Sequence, residues 1–380
     1  MKWDFDTRCI HGEAHAWADG ARSVSFPIYQ TATFGHSMIG HEQFNYTRQD
    51  NPTRQQLEEV VASLEEADSA IAFSSGMAAI AALTEILRPG DHLVCGEDLY
   101  GGTTRLFSQI CEKNGVTVSF VDTTDPAKLE EAMRPSTRLV HVETPSNPMM
   151  TVTDIRACAD IAHAHGALLS VDNTFLSPVF QRPLTLGADA VLHSGSKYLS
   201  GHNDTIAGFL VLNDRDLTER FRLIAKTIGA ALAPFDSWLV LRGLKTLHVR
   251  MQRQQENARF LAHALQRHPA VREVLYIGLP EMPGYAVNRR QTGGTGAMIS
   301  FRVQDEATAR RALERVRLIT FAESLGGTES LLTYPLTQTH CEVPEALRRK
   351  LRIDGTLLRL SVGLENAEDL LADLTQALEA

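Results

Sequence analysis

The chain has 380 residues, 43% hydrophobic and 22% charged, so it can bury a sizeable core, and its length suggests two or three domains. Lysine and arginine number 37 against 46 acidic residues, and the net charge of −9 argues against general binding to nucleic acid or an anionic membrane. There is no apolar run long enough to span a bilayer, the stretch from Met1 to Arg8 carries no apolar leader segment, and five scattered cysteines (Cys9, Cys95, Cys111, Cys158, Cys341) never form a CxxC pair; a soluble cytoplasmic protein without disulfides or a metal site is expected.

In chain order, the first fifty residues show little periodicity and read as an arm that needs something else to pack on. Ala70 to Leu87 is apolar but interrupted by Ser74, Ser75, Thr84 and Glu85, and reads as a buried loop followed by a helix. His92–Cys95 is a short apolar strand, Thr103–Asn114 a helix that Gly115 can cap, and Val116–Val121 a β-rich run. Asp125-Pro126 starts the next helix, with Asp as N-cap and Pro in the first turn. Arg138–Val142 is a strand, Thr153–His165 a helix ending at Gly166, and Leu168–Val171 and Ala190–His193 are further strands. This alternation specifies βαβ units and a mostly parallel sheet covered by helices. Beyond Ala233 one long helix is predicted over Pro234–His268. A Pro/Gly cluster follows at 278–296, then a β-like Ala297–Phe301 and a smaller C-terminal α/β unit.

Each central strand is followed at its carboxyl end by groups able to do chemistry, which is where ligands bind in open α/β sheets. In Ser194-Gly195-Ser196-Lys197 a lysine stands directly after a buried strand and two hydroxyls. A desolvated amine there can form a Schiff base with an aldehyde, and the serines can bond a phosphate; the alternative is a surface lysine in a loop. Asp172 ends the preceding strand, and a carboxylate opposite a Schiff-base lysine suits pyridoxal phosphate (PLP), whose ring nitrogen it keeps protonated. A helix cap or turn aspartate is the plainer reading. Ser75-Gly76-Met77 precedes an apolar helix whose N-terminus favours an anion, with Arg48 of Tyr46-Thr47-Arg48 a candidate cation, although a tight turn explains it too. Tyr100, before Gly101-Gly102, can lay its ring on a flat cofactor or simply fill core. Arg359 interrupts an apolar strand and demands an anion, either a substrate carboxylate or a structural partner. Other features fail: Gly293-Gly294-Thr295-Gly296 is no dinucleotide fingerprint, His163 and His165 do not share a helix face, and no GxSxG elbow occurs.

Taken as a set, these residues resemble the PLP-dependent cystathionine γ-synthase/γ-lyase family of fold-type I enzymes. The matching segments are Tyr46-Thr47-Arg48, Asn51-Pro52-Thr53-Arg54, Ser74-Ser75-Gly76-Met77, Leu99-Tyr100-Gly101-Gly102, Glu143-Thr144-Pro145-Ser146-Asn147-Pro148, Val171-Asp172-Asn173-Thr174, Ser194-Gly195-Ser196-Lys197-Tyr198, Ala322-Glu323-Ser324-Leu325-Gly326-Gly327 and Leu358-Arg359-Leu360-Ser361-Val362-Gly363. They follow the family's order from about residue 5 to the C-terminus. Two departures stand out. Gly195-Ser196 replaces the usual Ala-Thr, and Gly102 stands where methionine γ-lyases carry cysteine.

The resemblance implies an α/β fold of the aspartate aminotransferase type, with an arm over 1–50, a PLP-binding domain over 51–233 and a C-terminal domain over 234–380. It implies that Lys197 carries the cofactor and shuttles protons, that Asp172 pairs with the ring nitrogen and that Tyr100 stacks on the ring. Gly76, Met77, Thr174, Ser194 and Ser196 would complete the cofactor site, joined by Tyr46 and Arg48 from a neighbouring subunit of a homotetramer. Asn147, Ser324, Thr339 and Arg359 would hold the substrate, with Glu323 facing a distal ammonium. The reaction expected first is cystathionine γ-synthase chemistry on an O-acylhomoserine. The alternatives are a cystathionine β- or γ-lyase or an O-acylhomoserine sulfhydrylase. An inactive protein of the same fold predicts loss of Lys197 or Asp172, and both are present.

Overall fold

A computed structural model describes residues 3–12, 22–40 and 43–379. Parts of the predicted arm (13–21, 41 and 42), and Met1 and Lys2 of the segment read for a leader, lie outside the described residues. The larger of two sheets holds β1 (Ser69–Phe73), β2 (His92–Gly96), β3 (Thr117–Val121), β4 (Thr137–Glu143), β5 (Leu168–Asp172), β6 (Ala190–Ser194) and β7 (Gly208–Leu212). Their order is β1-β7-β6-β5-β4-β2-β3, and only the pairings made by β7 are antiparallel. The predicted mostly parallel sheet is therefore present. Its strands read as apolar runs because helices cover both faces: all five residues of β2 and of β7 are buried.

The helices between strands begin where the side chains dictate. Asp125 and Asp154 accept from the N–H groups of Ala127 at 3.0 Å and Ala157 at 3.1 Å, capping Pro126–Ala132 and Ile155–Ala164. The second sheet contains β8 (Val271–Leu275), β9 (Met298–Val303), β10 (Thr320–Phe321), β11 (Leu331–Thr333) and β12 (Leu357–Ser361), in the order β10-β11-β12-β9-β8. It places Arg359 in the middle of its central strand.

Three expectations need correction. The stretch read as a loop before the Gly76–Thr84 helix is β1, a full member of the sheet. The helix expected over 234–268 is two, Pro234–Leu244 and Leu247–Gln266, separated at Lys245-Thr246. Thr103–Asn114 starts earlier, at Gly101, and continues as a π-helical stretch over Leu106–Cys111. The beginning of the arm packs on its own chain: in the Phe5–His11 helix, buried Arg8 donates to the Ser63 carbonyl and pairs with Glu66 at 3.3 Å. Among the described residues no helix is long and apolar enough to cross a membrane.

Candidate active site

The carboxyl ends of β1, β2, β4, β5 and β6 converge on a cavity of about 550 Å³, which the second sheet and the segments joining its strands close with Ala322–Leu325, Leu331, Thr339 and Arg359. A volume of that size suits a small-molecule site. Of the residues singled out from sequence, Gly76, Met77, Tyr100, Asn147, Asp172, Thr174, Ser194, Ser196, Lys197, Glu323, Ser324, Thr339 and Arg359 all line it. Tyr46 and Arg48 do not. Arg48 donates to the Lys226 carbonyl at 2.5 Å, near the C-terminus of the Arg215–Ile228 helix, and its guanidinium lies 5.7 Å from the Tyr46 ring.

Lys197 Nζ donates to Ser324 Oγ at 2.9 Å. Burial pushes its pKa down to about 8, helped by the Arg359 charge and opposed by Glu323. Ser324 has φ +106°, a region most side chains avoid. Its carbonyl accepts from Arg359 Nη2 at 3.0 Å, which helps to hold that geometry.

Arg359 is 1% exposed. Its Nη1 donates to Asn147 Oδ1 at 2.7 Å and its Nη2 also reaches Thr333 Oγ1 at 3.2 Å, while the buried Nε has no partner. Burial lowers its pKa to about 10. Asn147 is held from a second side as well. His340, pushed down to about 4 by burial and hence neutral, lies with Nε2 3.0 Å from the Asn147 carbonyl and Nδ1 2.7 Å from Thr339 Oγ1. Because a carbonyl only accepts, Nε2 donates and the Thr339 hydroxyl donates to Nδ1. Thr339 thus spends its hydroxyl proton on His340, leaving its oxygen to the cavity as an acceptor.

At the opposite end, Asp172 accepts from the Thr174 N–H at 2.9 Å and from Thr174 Oγ1 at 2.5 Å. Burial raises its pKa even so. Thr174 Oγ1 also accepts from the Ser194 N–H at 2.9 Å. One hydroxyl thereby joins the ends of β5 and β6. Ser196 Oγ is engaged by the Ala207 N–H at 3.0 Å and carbonyl at 3.3 Å, which ties the 194–197 turn to the chain entering β7.

The Gly76–Thr84 helix starts in the cavity wall. Ser75 Oγ caps it by accepting from the Ala78 N–H at 3.0 Å, leaving the amides of Gly76 and Met77 as the first free donors of the helix. A Cβ at position 76 would sit 3.1 Å from Ser194 Cβ, closing the cradle those amides form. Tyr100 caps the next helix, and its own N–H donates to Glu143 Oε2 at 2.9 Å. A Cβ at position 102 would meet Tyr100 Cε1 at 2.5 Å and Met77 Sδ at 2.9 Å, so a larger residue there would have to displace the ring or the Met77 side chain.

The donor set fits PLP: an anion cradle at a helix N-terminus, a buried lysine, a carboxylate at the far end, and between them an arginine with an unpartnered buried N–H. The comparisons decide the matter. The model of the Cys/Met metabolism PLP-dependent enzymes matches residues 6–379. The chain belongs to this family. It is 47% identical over 357 residues to a cystathionine gamma-synthase of Haemophilus influenzae, covering 93% of this chain and 92% of that one. It is 45% identical over 358 residues to a cystathionine gamma-lyase of Bacillus subtilis, covering 94% of each. The solved cystathionine gamma-lyase of Lactobacillus plantarum, complexed with L-serine, superimposes with a TM-score of 0.96 at 43% identity, covering 99% of this chain and 98% of that one. PLP is accordingly the cofactor of this Cys/Met family member.

Two residues at or beside the cavity carried no assigned role in the sequence. Glu143 is the register partner of Asp172 on the neighbouring parallel strand and lines the same cavity. Its pKa is raised by burial and by the Asp172 charge. The available signal was that β4 and β5 both end in a carboxylate followed by a polar residue. His340 had no such signal, since it reaches Asn147 only through the tertiary fold. Gly195, by contrast, is accounted for. A Cβ there would meet Phe209 Cε2 at 2.5 Å and Ala207 Cβ at 2.9 Å, so in this chain Phe209 fills the space a methyl would need.

Proposed function

We propose that the chain catalyses γ-replacement, in which an O-acylhomoserine loses its acyl group as a carboxylate and cysteine sulfur bonds to the same carbon, giving cystathionine. The observation that carries this reading is Glu323. It lines the cavity near enough to oppose the effect of burial at both Lys197 and Arg359, so it offers an anion to the ammonium of a second amino acid beside the one that Arg359 would hold: incoming cysteine in synthesis, or the distal end of cystathionine in cleavage.

Bound PLP supplies an electron sink for the pair left when a proton leaves the substrate α-carbon. Lys197 would hold the cofactor's aldehyde carbon and, through Nζ, take and return that proton. Asp172 would face the ring nitrogen, Tyr100 the ring, and the Gly76 and Met77 amides with Ser194 the phosphate. Arg359 and Asn147 would orient the substrate carboxylate.

The gamma-lyase relative and the Lactobacillus plantarum structure support a second reading, C–S cleavage of cystathionine. Offering cystathionine alone, and then O-acetyl- or O-succinylhomoserine with cysteine, separates the two by kcat/KM. Synthesis faster than cleavage is expected, and the reverse order overturns γ-replacement while leaving the family untouched.

Tyr46 and Arg48 would serve a neighbouring subunit of a homotetramer. Exposed apolar side chains on the same segment, Val24 at 87% and Ile39 at 99%, support a partner surface. Mixed Arg48→Ala and Lys197→Ala subunits should regain activity that neither variant has alone. No recovery in a verified hybrid would sink the shared site.

A further inference from the structure

Successive residues at a strand end point to opposite sides of the sheet. Glu143, Asp172 and Ser194 line the cavity, and Thr144, Asn173 and His193, each a chain neighbour of one of them, belong to a buried polar network beneath it. The network is anchored on Glu65, the last residue of the Pro52–Glu65 helix, which is fully buried and lines no part of the cavity. Glu65 Oε1 accepts from Asn173 Nδ2 at 3.0 Å and lies 2.5 Å from His193 Nε2. Asn173 is fixed a second time by Gln181: its Nδ2 donates to the Gln181 carbonyl at 2.7 Å, and Gln181 Nε2 donates to Asn173 Oδ1 at 3.0 Å. The same Gln181 Nε2 reaches the Thr144 carbonyl at 3.0 Å. The ends of β4, β5 and β6 are thus tied together from the side away from the cavity.

We propose that Glu65 is a positioning residue for the cofactor: through Asn173 and His193 it sets the relative placement of Asp172, which faces the ring nitrogen, and Ser194, which faces the phosphate. The inference rests on the reading of those two residues as cofactor ligands. Hydrogen bonds do the positioning, since a carboxylate oxygen accepting from two strand ends fixes their separation. A buried acid kept only for packing would be better replaced by an apolar side chain. Its cost is visible in Glu65 Oε2 and His193 Nδ1, both buried without partners.

The test is PLP affinity, measured by titrating cofactor back into resolved enzyme, together with the 15N resonance of PLP labelled at the ring nitrogen in the holoenzyme. E65A should weaken PLP binding at least tenfold and move the resonance toward that of an unprotonated ring. E65Q keeps an oxygen that accepts from Asn173 and His193, and it should stay within about threefold of wild type with the resonance unmoved. Q181M, which cuts the side-chain bonds to Asn173 and Thr144 and the 3.5 Å contact from Gln291 but keeps the Gln181 carbonyl on Asn173, should fall between the two and decides the matter if E65A does not fold. Unchanged affinity and resonance in E65A, or in Q181M should it have to decide, overturn the proposal even if thermal stability falls. So does an E65Q as impaired as E65A. Weak binding by the wild type in the same titration would instead defeat the assignment of the cofactor ligands.

Discussion

Lys197 Nζ donates to the hydroxyl of a residue, Ser324, whose backbone is held at φ +106°. The amine meets its partner because Ser324 keeps a conformation that costs on the order of 1–3 kcal/mol. Glycine adopts that conformation freely. Ser324→Gly should therefore raise the melting temperature while lowering kcat, whereas Ser324→Ala keeps the strain and should lower kcat with no gain in stability. Calorimetry and steady-state kinetics on the two variants check this, and equal melting temperatures would remove strain from the account.

Lys197 also predicts a pH dependence. Its pKa falls from the ordinary lysine value to about 8, so below that pH the amine is an ammonium and no nucleophile. The rate at which resolved enzyme recaptures PLP should rise with pH and level off above about 8. Stopped-flow absorbance follows it, and a rate flat from pH 6 to pH 9 would contradict the assignment. Lys197→Ala should lower turnover by roughly 10²–10⁴-fold or more, the usual contribution of a positioned acid–base group.

Glu143 and Asp172 both have pKa values above the ordinary carboxylate range, chiefly through burial. The folded protein then binds protons that the unfolded chain has released, and stability falls as pH rises through that range. Removing one charge removes part of the loss. Cofactor-free Glu143→Gln should be more stable than cofactor-free wild type at pH 8 and should match it near pH 3, below the ordinary carboxyl values, where the unfolded carboxyls are protonated too. Thermal melts across that interval measure the difference, and a gap independent of pH would refute the raised carboxyl pKa values.

Arg359→Lys replaces a planar fork of five donors with a compact ammonium of three, which cannot span Asn147, Ser324 and Thr333 and still offer a donor to a substrate carboxylate. A hydrogen bond to a charged group contributes roughly 1.5–3 kcal/mol. KM for the amino-acid substrate should rise about tenfold or more, with the visible absorption of bound PLP unchanged. A KM that does not move would mean Arg359 serves the fold and not the substrate.

Gly195 and Phe209 should couple. Gly195→Ala overpacks the site, and insertions of this kind cost about 1–3 kcal/mol. Combined with Phe209→Leu it should cost less than the two single changes added, by at least ~0.5 kcal/mol. Strict additivity in denaturant melts would show that the contact at 195 is not the constraint.

The parallel core of the sheet was legible because β2, β4, β5 and β6 are apolar runs bounded by Asp caps and by glycines such as Gly115 and Gly166, both at positive φ. β7 escaped notice although it is buried throughout: it pairs antiparallel on both sides and so lacks the βαβ rhythm that marked the others. β1 was hidden because Ser69–Phe73 runs into the alanine-rich Gly76–Thr84 helix with only Ser74-Ser75 between them. The break at Lys245-Thr246 has no Pro or Gly of its own to announce it. At the site, side chains next to strand ends could be singled out one by one. Partners far apart in sequence could not. Arg359 with Asn147, and Lys197 with Ser324, exist only once the second sheet closes over the first.

Thr174 carries a consequence for anyone who redesigns this enzyme. A single oxygen atom answers to the acid at 172 and to the peptide group at 194, so whatever shifts one is mechanically transmitted to the other. On the roles proposed for those two positions, electronic tuning of the vitamin's heterocycle and grip on its anionic tail would not be independent dials, and a change at either end would have to be accommodated by the threonine between them.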